Sequence, residues 1–161
     1  MHEILLKYGI PTYFVNIQTT IPATNTLNIE IAQILPTQIG RIYGLSMYTD
    51  TVTPDNRQLI SINDCTNMYL QLKWGSSNFI QNIRLDSLVY DTSQFTNSLL
   101  PGPRYLPVNV PNDFSLDQSN YINPTGVVNK TISLNLWYIS KLSYMQLLKR
   151  GIIEPIDSPA H

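Results

Sequence analysis

The sequence predicts an all-β protein, folded as an antiparallel β-sandwich of about eight strands with Greek-key connections. Three observations carry this prediction. Apolar side chains recur at every second residue in several short segments, which is the period of a strand with one buried face. Pro, Gly, Asn and Asp separate these segments, and no segment has the length and period of a long helix. A sandwich follows because a lone hairpin is marginal in water and must cover its apolar face with a second sheet.

The stretch from Asn67 to Tyr90 predicts the β-hairpin around which the other strands are arranged. Its first strand alternates apolar and polar residues as far as Trp74. Residues 75–78 are all turn formers, and Phe79 then opens a second apolar run that we expect to stay extended up to Tyr90.

The remaining strands are predicted on both sides of this hairpin. In chain order they cover residues 13–21, 27–32, 39–48, 105–110, 114–122 and 131–140. The last has the cleanest alternation, which places it in the centre of a sheet, whereas Pro107 places its strand at an edge. Gly40 and Gly44 predict a bend or the close approach of another backbone. A bulge is expected at residues 33–35, where the alternation loses its phase, and a long crossover loop at residues 91–103.

A single domain is predicted for residues 1–161, because the sequence has neither an internal repeat nor a linker. Residues 12–140 are expected to form its core. Residues 1–11 are predicted to be an N-terminal arm with one or two helical turns, which a Gly-Ile-Pro sequence ends. Residues 141–161 are predicted to form a short helix, ended by Gly151, and a proline-containing tail.

The composition favours a weakly charged surface that can contact other subunits. The chain has 161 residues, of which 43% are hydrophobic and only 13% charged, about half the usual charged share. Asn, Thr, Ser, Gln and Tyr fill the polar positions, so few ions must be desolvated when such a surface is covered. A compositional bias of the source genome explains the same numbers equally well.

The charge and the single cysteine exclude several classes of function. A net charge of -1 without a Lys/Arg run argues against specific nucleic-acid binding, which needs clustered positive charge. Cys65 is alone, which excludes an intramolecular disulfide framework, and a lone thiol is more often a small buried hydrophobe than a nucleophile. We find no apolar run of about 20 residues and no secretory signal, so we expect a protein made in the cytoplasm without a targeting or transmembrane segment.

The residues that usually carry chemistry do not form a recognisable site. The two histidines, His2 and His161, stand at the ends of the chain, where neither a hydrolase triad nor a zinc site has rigid support. The spacing of the acidic residues does not fit a calcium loop, and Asp55, Asp64, Asp113 and Asp117 are expected to be turn and cap residues. We therefore predict no catalytic residue, no metal site and no cofactor, although a glycosidase pair assembled from distant strands stays open.

Aromatic and basic residues supply the candidate subunit interface. Tyr69 and Trp137 fall on the polar faces of their strands, and Trp74 stands at the mouth of the hairpin. Exposed aromatic side chains can stack on sugar rings or be covered by a neighbouring subunit. Lys149 and Arg150 form a small basic group near the C-terminus. Burial of both strand faces by a second sheet explains the aromatic residues just as well, and a solvated surface explains the basic ones.

The order of segments resembles the single jelly-roll coat proteins of tailless icosahedral viruses, especially bacteriophages. The resemblance rests on residues 40–45, the hairpin 67–90, residues 104–108 and the closing strand 131–140, and it extends over residues 13–140. It implies eight strands in two facing sheets and terminal arms that tie subunits together. The short chain looks like a minor or vertex (penton-type) capsid subunit.

The resemblance also implies what the protein contacts. It implies a virion protein that acts by self-assembly into a pentamer or another ring and by contacts with other capsid proteins, without catalysis. Two other classes remain open. One is a carbohydrate- or receptor-binding β-sandwich of the fibre or spike type. The other is an enzyme on a jelly-roll barrel, although this sequence lacks the internal histidines that the metal of such an enzyme would need.

Overall fold

The computed structural model describes residues 1–31, 38–50, 56–74, 79–89, 105–110 and 119–154. Within these ranges the chain forms two four-stranded antiparallel sheets and a few short helices, which confirms the all-β class. The strands are β1 (Tyr13–Thr20), β2 (Asn28–Glu30), β3 (Ile39–Tyr48), β4 (Tyr69–Trp74), β5 (Phe79–Arg84), β6 (Leu106–Val110), β7 (Asn120–Ile122) and β8 (Thr131–Ser140). The helices are α1 (His2–Lys7), α2 (Ile62–Cys65), a 3-10 turn (Leu85–Leu88) and α3 (Lys141–Lys149). None of these helices is long and apolar enough to cross a membrane.

The strands pair in a nested order. The first sheet has the order β1-β8-β3-β6 and the second the order β2-β7-β4-β5. The innermost pair, β4 with β5, is the predicted hairpin; β3 then pairs with β6, β2 with β7 and β1 with β8. Successive pairs alternate between the two sheets, and contacts of β3 with β8 and of β4 with β7 complete each sheet. The chain therefore pairs along its length like one long hairpin.

Both sheets contribute to one hydrophobic core. Leu134 and Leu136 of β8 belong to the same buried cluster as Leu70 and Leu72 of β4 and Tyr121 of β7. All five are at most 1% exposed, as the two-residue alternation predicts. Full burial of a leucine contributes about 1.5–3 kcal/mol relative to an exposed one, so burial of these side chains stabilises the fold. The predicted central position of residues 131–140 is confirmed, because β8 lies between β1 and β3.

The predicted approach of another backbone is confirmed at Gly40, whereas Gly44 lies against a side chain at a point where the register of β3 shifts. A methyl group at Gly40 would lie 2.6 Å from the carbonyl oxygen of Ser140, and one at Gly44 would overlap the ring of Tyr105. The strand that contains Pro107 is at the edge of its sheet.

The prediction of a strand from Phe79 to Tyr90 is wrong at its C-terminal end. β5 ends at Arg84, and a 3-10 turn follows. Leu85 and Leu88 are fully buried three residues apart, a spacing that a 3-10 turn places on one side and a strand does not. The predicted turn 75–78, the bulge at 33–35, the loop 91–103 and most of the segment 114–122 lie outside the described residues.

Helices α1 and α3 pack against the first sheet, and they lie where the sequence predicts helical turns in residues 1–11 and a short helix after residue 140. Leu5 of α1 and Leu147 of α3 are buried together with Ile153 and with Tyr43 and Ile139 of the first sheet. Gly151 ends α3 as predicted: its φ of 67° allows the last carbonyls to accept hydrogen bonds from residues 151 and 152.

Candidate functional site: the outer face and free edge of the first sheet

The first sheet has an inner face that lines the core and an outer face that points away from it. Ile17 of β1 and Leu134 of β8 lie in the core, so their strand neighbours are on the outer face. The outer-face residues of these two strands are Phe14, Asn16, Gln18, Thr20, Thr131, Ser133, Asn135, Trp137 and Ile139. We call this surface the outer face.

The terminal helices cover one end of the outer face. The helices and the sheet share an apolar cluster that consists of Leu5, Tyr43, Tyr105, Ile139, Tyr144, Leu147 and Ile153. α3 begins directly after β8, and its N-terminus is capped by Ser140, whose hydroxyl accepts a hydrogen bond from the backbone N–H of Ser143 at 3.2 Å. The cap fixes the direction in which α3 leaves β8 and so returns it onto the sheet.

A row of aromatic rings crosses the outer face beside these helices. The ring centroids of Phe14 and Trp137 are 5.1 Å apart, those of Trp137 and Tyr105 are 5.5 Å apart, and those of Tyr105 and Tyr43 are 5.3 Å apart. The indole N–H of Trp137 donates to Ser46 Oγ at 3.1 Å. The row runs from buried rings near β6 to Phe14 on β1, whose side chain is 53% exposed.

A row of uncharged polar side chains runs next to the aromatic row. Asn16 Nδ2 donates to Ser133 Oγ at 2.8 Å and to Asn135 Oδ1 at 2.9 Å, and Asn135 Nδ2 donates to Ser46 Oγ at 3.2 Å. Asn135 is only 2% exposed. Its side-chain amide accepts a hydrogen bond from β1 and donates one to β3, so it links β8 to both neighbouring strands. Each of these hydrogen bonds contributes about 0.5–1.5 kcal/mol to stability.

The backbone of β1 presents a hydrogen-bonding edge. At the start of β8, Thr131 N–H donates to the Gln58 carbonyl at 2.8 Å and the Thr131 carbonyl accepts from Ile60 N–H at 3.0 Å, both away from β1. Even-numbered residues of β8 therefore bond to odd-numbered residues of β1, since bonded pairs alternate along an antiparallel ladder. Ile21 fits this parity, because its N–H donates to the Lys130 carbonyl at 2.8 Å.

The even-numbered residues of β1 consequently direct their backbone groups outwards. Phe14, Asn16, Gln18 and Thr20 carry these N–H and carbonyl groups, and no strand of the described part of the chain pairs with them. The side chains of Phe14, Gln18 and Thr20 are exposed. The outer face and this edge together form the candidate interaction surface.

The five residues singled out from the sequence do not come together. Tyr69 is 38% exposed on the second sheet, whereas Trp137 is half-buried on the outer face of the first sheet. Lys149 and Arg150 are exposed at the end of α3. Trp74 ends β4, and its side chain is outside the part of the chain that the structure describes.

Phe14 is the interface candidate that sequence reasoning missed. It occupies a polar-phase position of β1, between Tyr13 and Val15, and such a position puts a large ring outside the core. The sequence contains a signal for this: Phe14 is an aromatic residue at a position where the alternation of β1 calls for a polar one.

The described side chains that could take part in catalysis, Asp64 and Cys65, have structural roles instead. Asp64 completes a capping box with Ser61 at the start of α2, which confirms its predicted role as a cap, and it also accepts a hydrogen bond from Lys130 Nζ at 2.7 Å. Burial and the nearby carboxylates, Asp64 first among them, raise the pKa of the Cys65 thiol to about 12, so it stays protonated at neutral pH. Among the residues that the structure describes, no three His, Cys, Asp or Glu side chains could hold a metal ion.

Comparison of the chain with protein-family models, curated proteins and solved structures gives no match. The residues and contacts of this protein therefore carry any conclusion about its function.

Proposed function

We propose that this protein is a structural capsid subunit of an icosahedral virus or bacteriophage, of the minor or vertex type, with a jelly-roll domain that acts by association with copies of itself and with other coat proteins. The observation that supports this proposal most is the nested strand pairing. A jelly roll is a long antiparallel hairpin rolled up so that successive strand pairs fall alternately into two facing sheets. The sheet orders β1-β8-β3-β6 and β2-β7-β4-β5 fit that arrangement strand for strand.

The character of the exposed surface gives a second line of support. Jelly rolls also serve as lectins and as metal-dependent barrels, so the fold alone does not select a function. In the described part of the chain β1 forms a sheet edge without charged residues, and it carries the exposed Phe14. Surfaces of this kind favour contact with protein over contact with ions or phosphate.

The experiment that tests the proposal is a measurement of mass as a function of concentration. Native mass spectrometry and light scattering on the full chain are expected to show species of two or more chains at high micromolar concentration, and electron microscopy is expected to show rings or shells when partner coat proteins are added. The association should weaken little as salt is raised, because few charges take part. A strict monomer at every concentration, unchanged by the partner proteins, would contradict the proposal.

A carbohydrate- or receptor-binding domain is the second candidate, and the exposed face of β4 and β5 favours it. Tyr69 is exposed there, and Gln71 Nε2 donates to Asn82 Oδ1 at 3.2 Å two residues further along the strands. An aromatic ring beside amide groups is a composition that binds sugar rings. This candidate predicts glycan binding by the monomer, lost in Tyr69→Ala and retained in Tyr48→Ala, which removes another exposed tyrosine.

A further inference from the structure

We infer that the free edge of β1 is a pairing surface for a second copy of this chain, in which the two β1 strands lie antiparallel about a two-fold axis. This inference rests on the proposed function for the identity of its occupant, since a self-associating subunit supplies its own partner. It adds which element makes the contact, in which register, and with what symmetry.

The first argument is that β1 lacks the features that protect sheet edges. Among the strands that the structure describes, those at sheet edges are β1 and β6 in the first sheet and β2 and β5 in the second. β6 contains Pro107, β2 has three residues and carries Glu30, and β5 carries Arg84; short length, proline and charge are the usual means of preventing edge pairing. β1 has eight residues, Tyr-Phe-Val-Asn-Ile-Gln-Thr-Thr, without charge or proline.

The second argument is that two copies of this edge are complementary. The outward backbone groups belong to even-numbered residues, whose side chains all lie on the outer face. When even-numbered residues of two antiparallel copies pair, both outer faces stay on one side and both inner faces on the other. No like charges meet, because the strand is uncharged.

The register is the one in which all four even-numbered residues of each β1 strand pair. Phe14 of one copy then faces Thr20 of the other, and Asn16 faces Gln18, with Ile17 of each copy next to the two-fold axis. The two first sheets become one continuous eight-stranded sheet, and the exposed ring of Phe14 is covered by a β-branched neighbour. Such a contact is isologous and closes with two copies, so a larger ring would need a second surface.

The test uses proline at a position whose N–H points outwards. In Gln18→Pro the lost N–H belongs to the free edge, so the ladder between β1 and β8 keeps its hydrogen bonds. Gln18→Ala is the matched control, because it changes the same side chain and keeps the N–H. We expect the dissociation constant of the wild-type dimer to rise at least about tenfold in Gln18→Pro and to change little in Gln18→Ala.

A cross-linking experiment tests the register and does not depend on proline. Phe14→Cys and Thr20→Cys are expected to form a disulfide only when the two variants are mixed, since paired residues have Cα atoms about 5.5 Å apart and a disulfide accepts that separation. Each variant alone is the control, because its two introduced cysteines lie at opposite ends of the paired strands. The native Cys65 is buried and does not compete.

The outcomes separate this inference from the proposed function. Wild-type protein that associates, together with a folded Gln18→Pro variant that associates equally well, would overturn the β1 contact and leave the proposed function standing. The same holds for a wild-type dimer whose mixed cysteine variants give no disulfide, and that result also decides the question if Gln18→Pro does not fold. A wild-type chain that stays monomeric with and without partner coat proteins would overturn both.

Discussion

The hydroxyl of Tyr121 gives the sharpest prediction for the core. Tyr121 of β7 is 0% exposed, its hydroxyl oxygen has no hydrogen-bond partner in the described part of the chain, and burial raises the pKa of its phenol well above the ordinary range. A hydroxyl buried without a partner costs about 1–3 kcal/mol. Tyr121→Phe removes it and leaves a void of one oxygen atom, so the free energy of unfolding should rise by about 1–2 kcal/mol.

The assay is urea denaturation followed by tryptophan fluorescence, with thermal unfolding alongside. For a chain of this size the expected gain corresponds to an increase in Tm of roughly 2–8 °C. Tyr43→Phe is the matched control: the Tyr43 hydroxyl is hydrogen-bonded to Thr12, so the same change there should lower stability by about 0.5–1.5 kcal/mol. A Tyr121→Phe variant less stable than wild type would show that the hydroxyl has a partner and would refute the reasoning.

Three further predictions concern the contacts that hold the sheets and helices together. Burial raises the pKa of Asp64, but the hydrogen bonds with Lys130 and with the helix cap at Ser61 together lower it by more. The net pKa is therefore below its ordinary value. Its ionised form therefore stabilises the fold above about pH 4 and loses that contribution as the pH falls through the depressed pKa, and denaturation curves of Asp64→Asn should show a smaller acid loss than wild type. Gly44→Ala should cost about 2–3 kcal/mol in urea denaturation, because the new methyl group must displace the ring of Tyr105; an unchanged midpoint would contradict the packing. Leu5→Ala should cost about 2–4 kcal/mol if α1 is part of the folded unit, and the neighbouring exposed Leu6→Ala should cost less than 0.5; equal effects would mean that the helix does not dock.

The all-β class could be predicted from the sequence because strand formation leaves a local record. The alternation in residues 131–140 predicted a buried central strand, and β8 has that position. Gly40 predicted the close approach of another backbone, and the carbonyl group of Ser140 fills the space that a side chain would need. Each of these signals depends on residues near one another in the chain, where a two-residue period or a missing Cβ directly restricts the backbone.

The candidate site could be predicted only in part. The face on which a strand residue lies follows from nearby residues, whereas the strands that meet at the site are distant in the sequence. Trp137 was predicted on the outward face of its strand, and it is there, but rings from β1 and from the start of β6 cover it. Tyr69 was grouped with it by residue type, although the two lie on opposite sheets. The edge of β1 was missed, because a strand becomes an edge only through the pairing choices of all the others.

The sequence by itself determined the positions of most described strands, the end of α3 at Gly151, and the absence of charge along β1. Only the tertiary structure decided which strands share a sheet, that α1 and α3 cover one end of the outer face, and that Phe14 stands on an edge with which no described strand pairs. The physical reason is the range of the interactions. Backbone preference and side-chain periodicity act over a few residues, whereas the pairing of β1 with β8 joins residues more than a hundred positions apart, and that choice is made by burying the whole core at once.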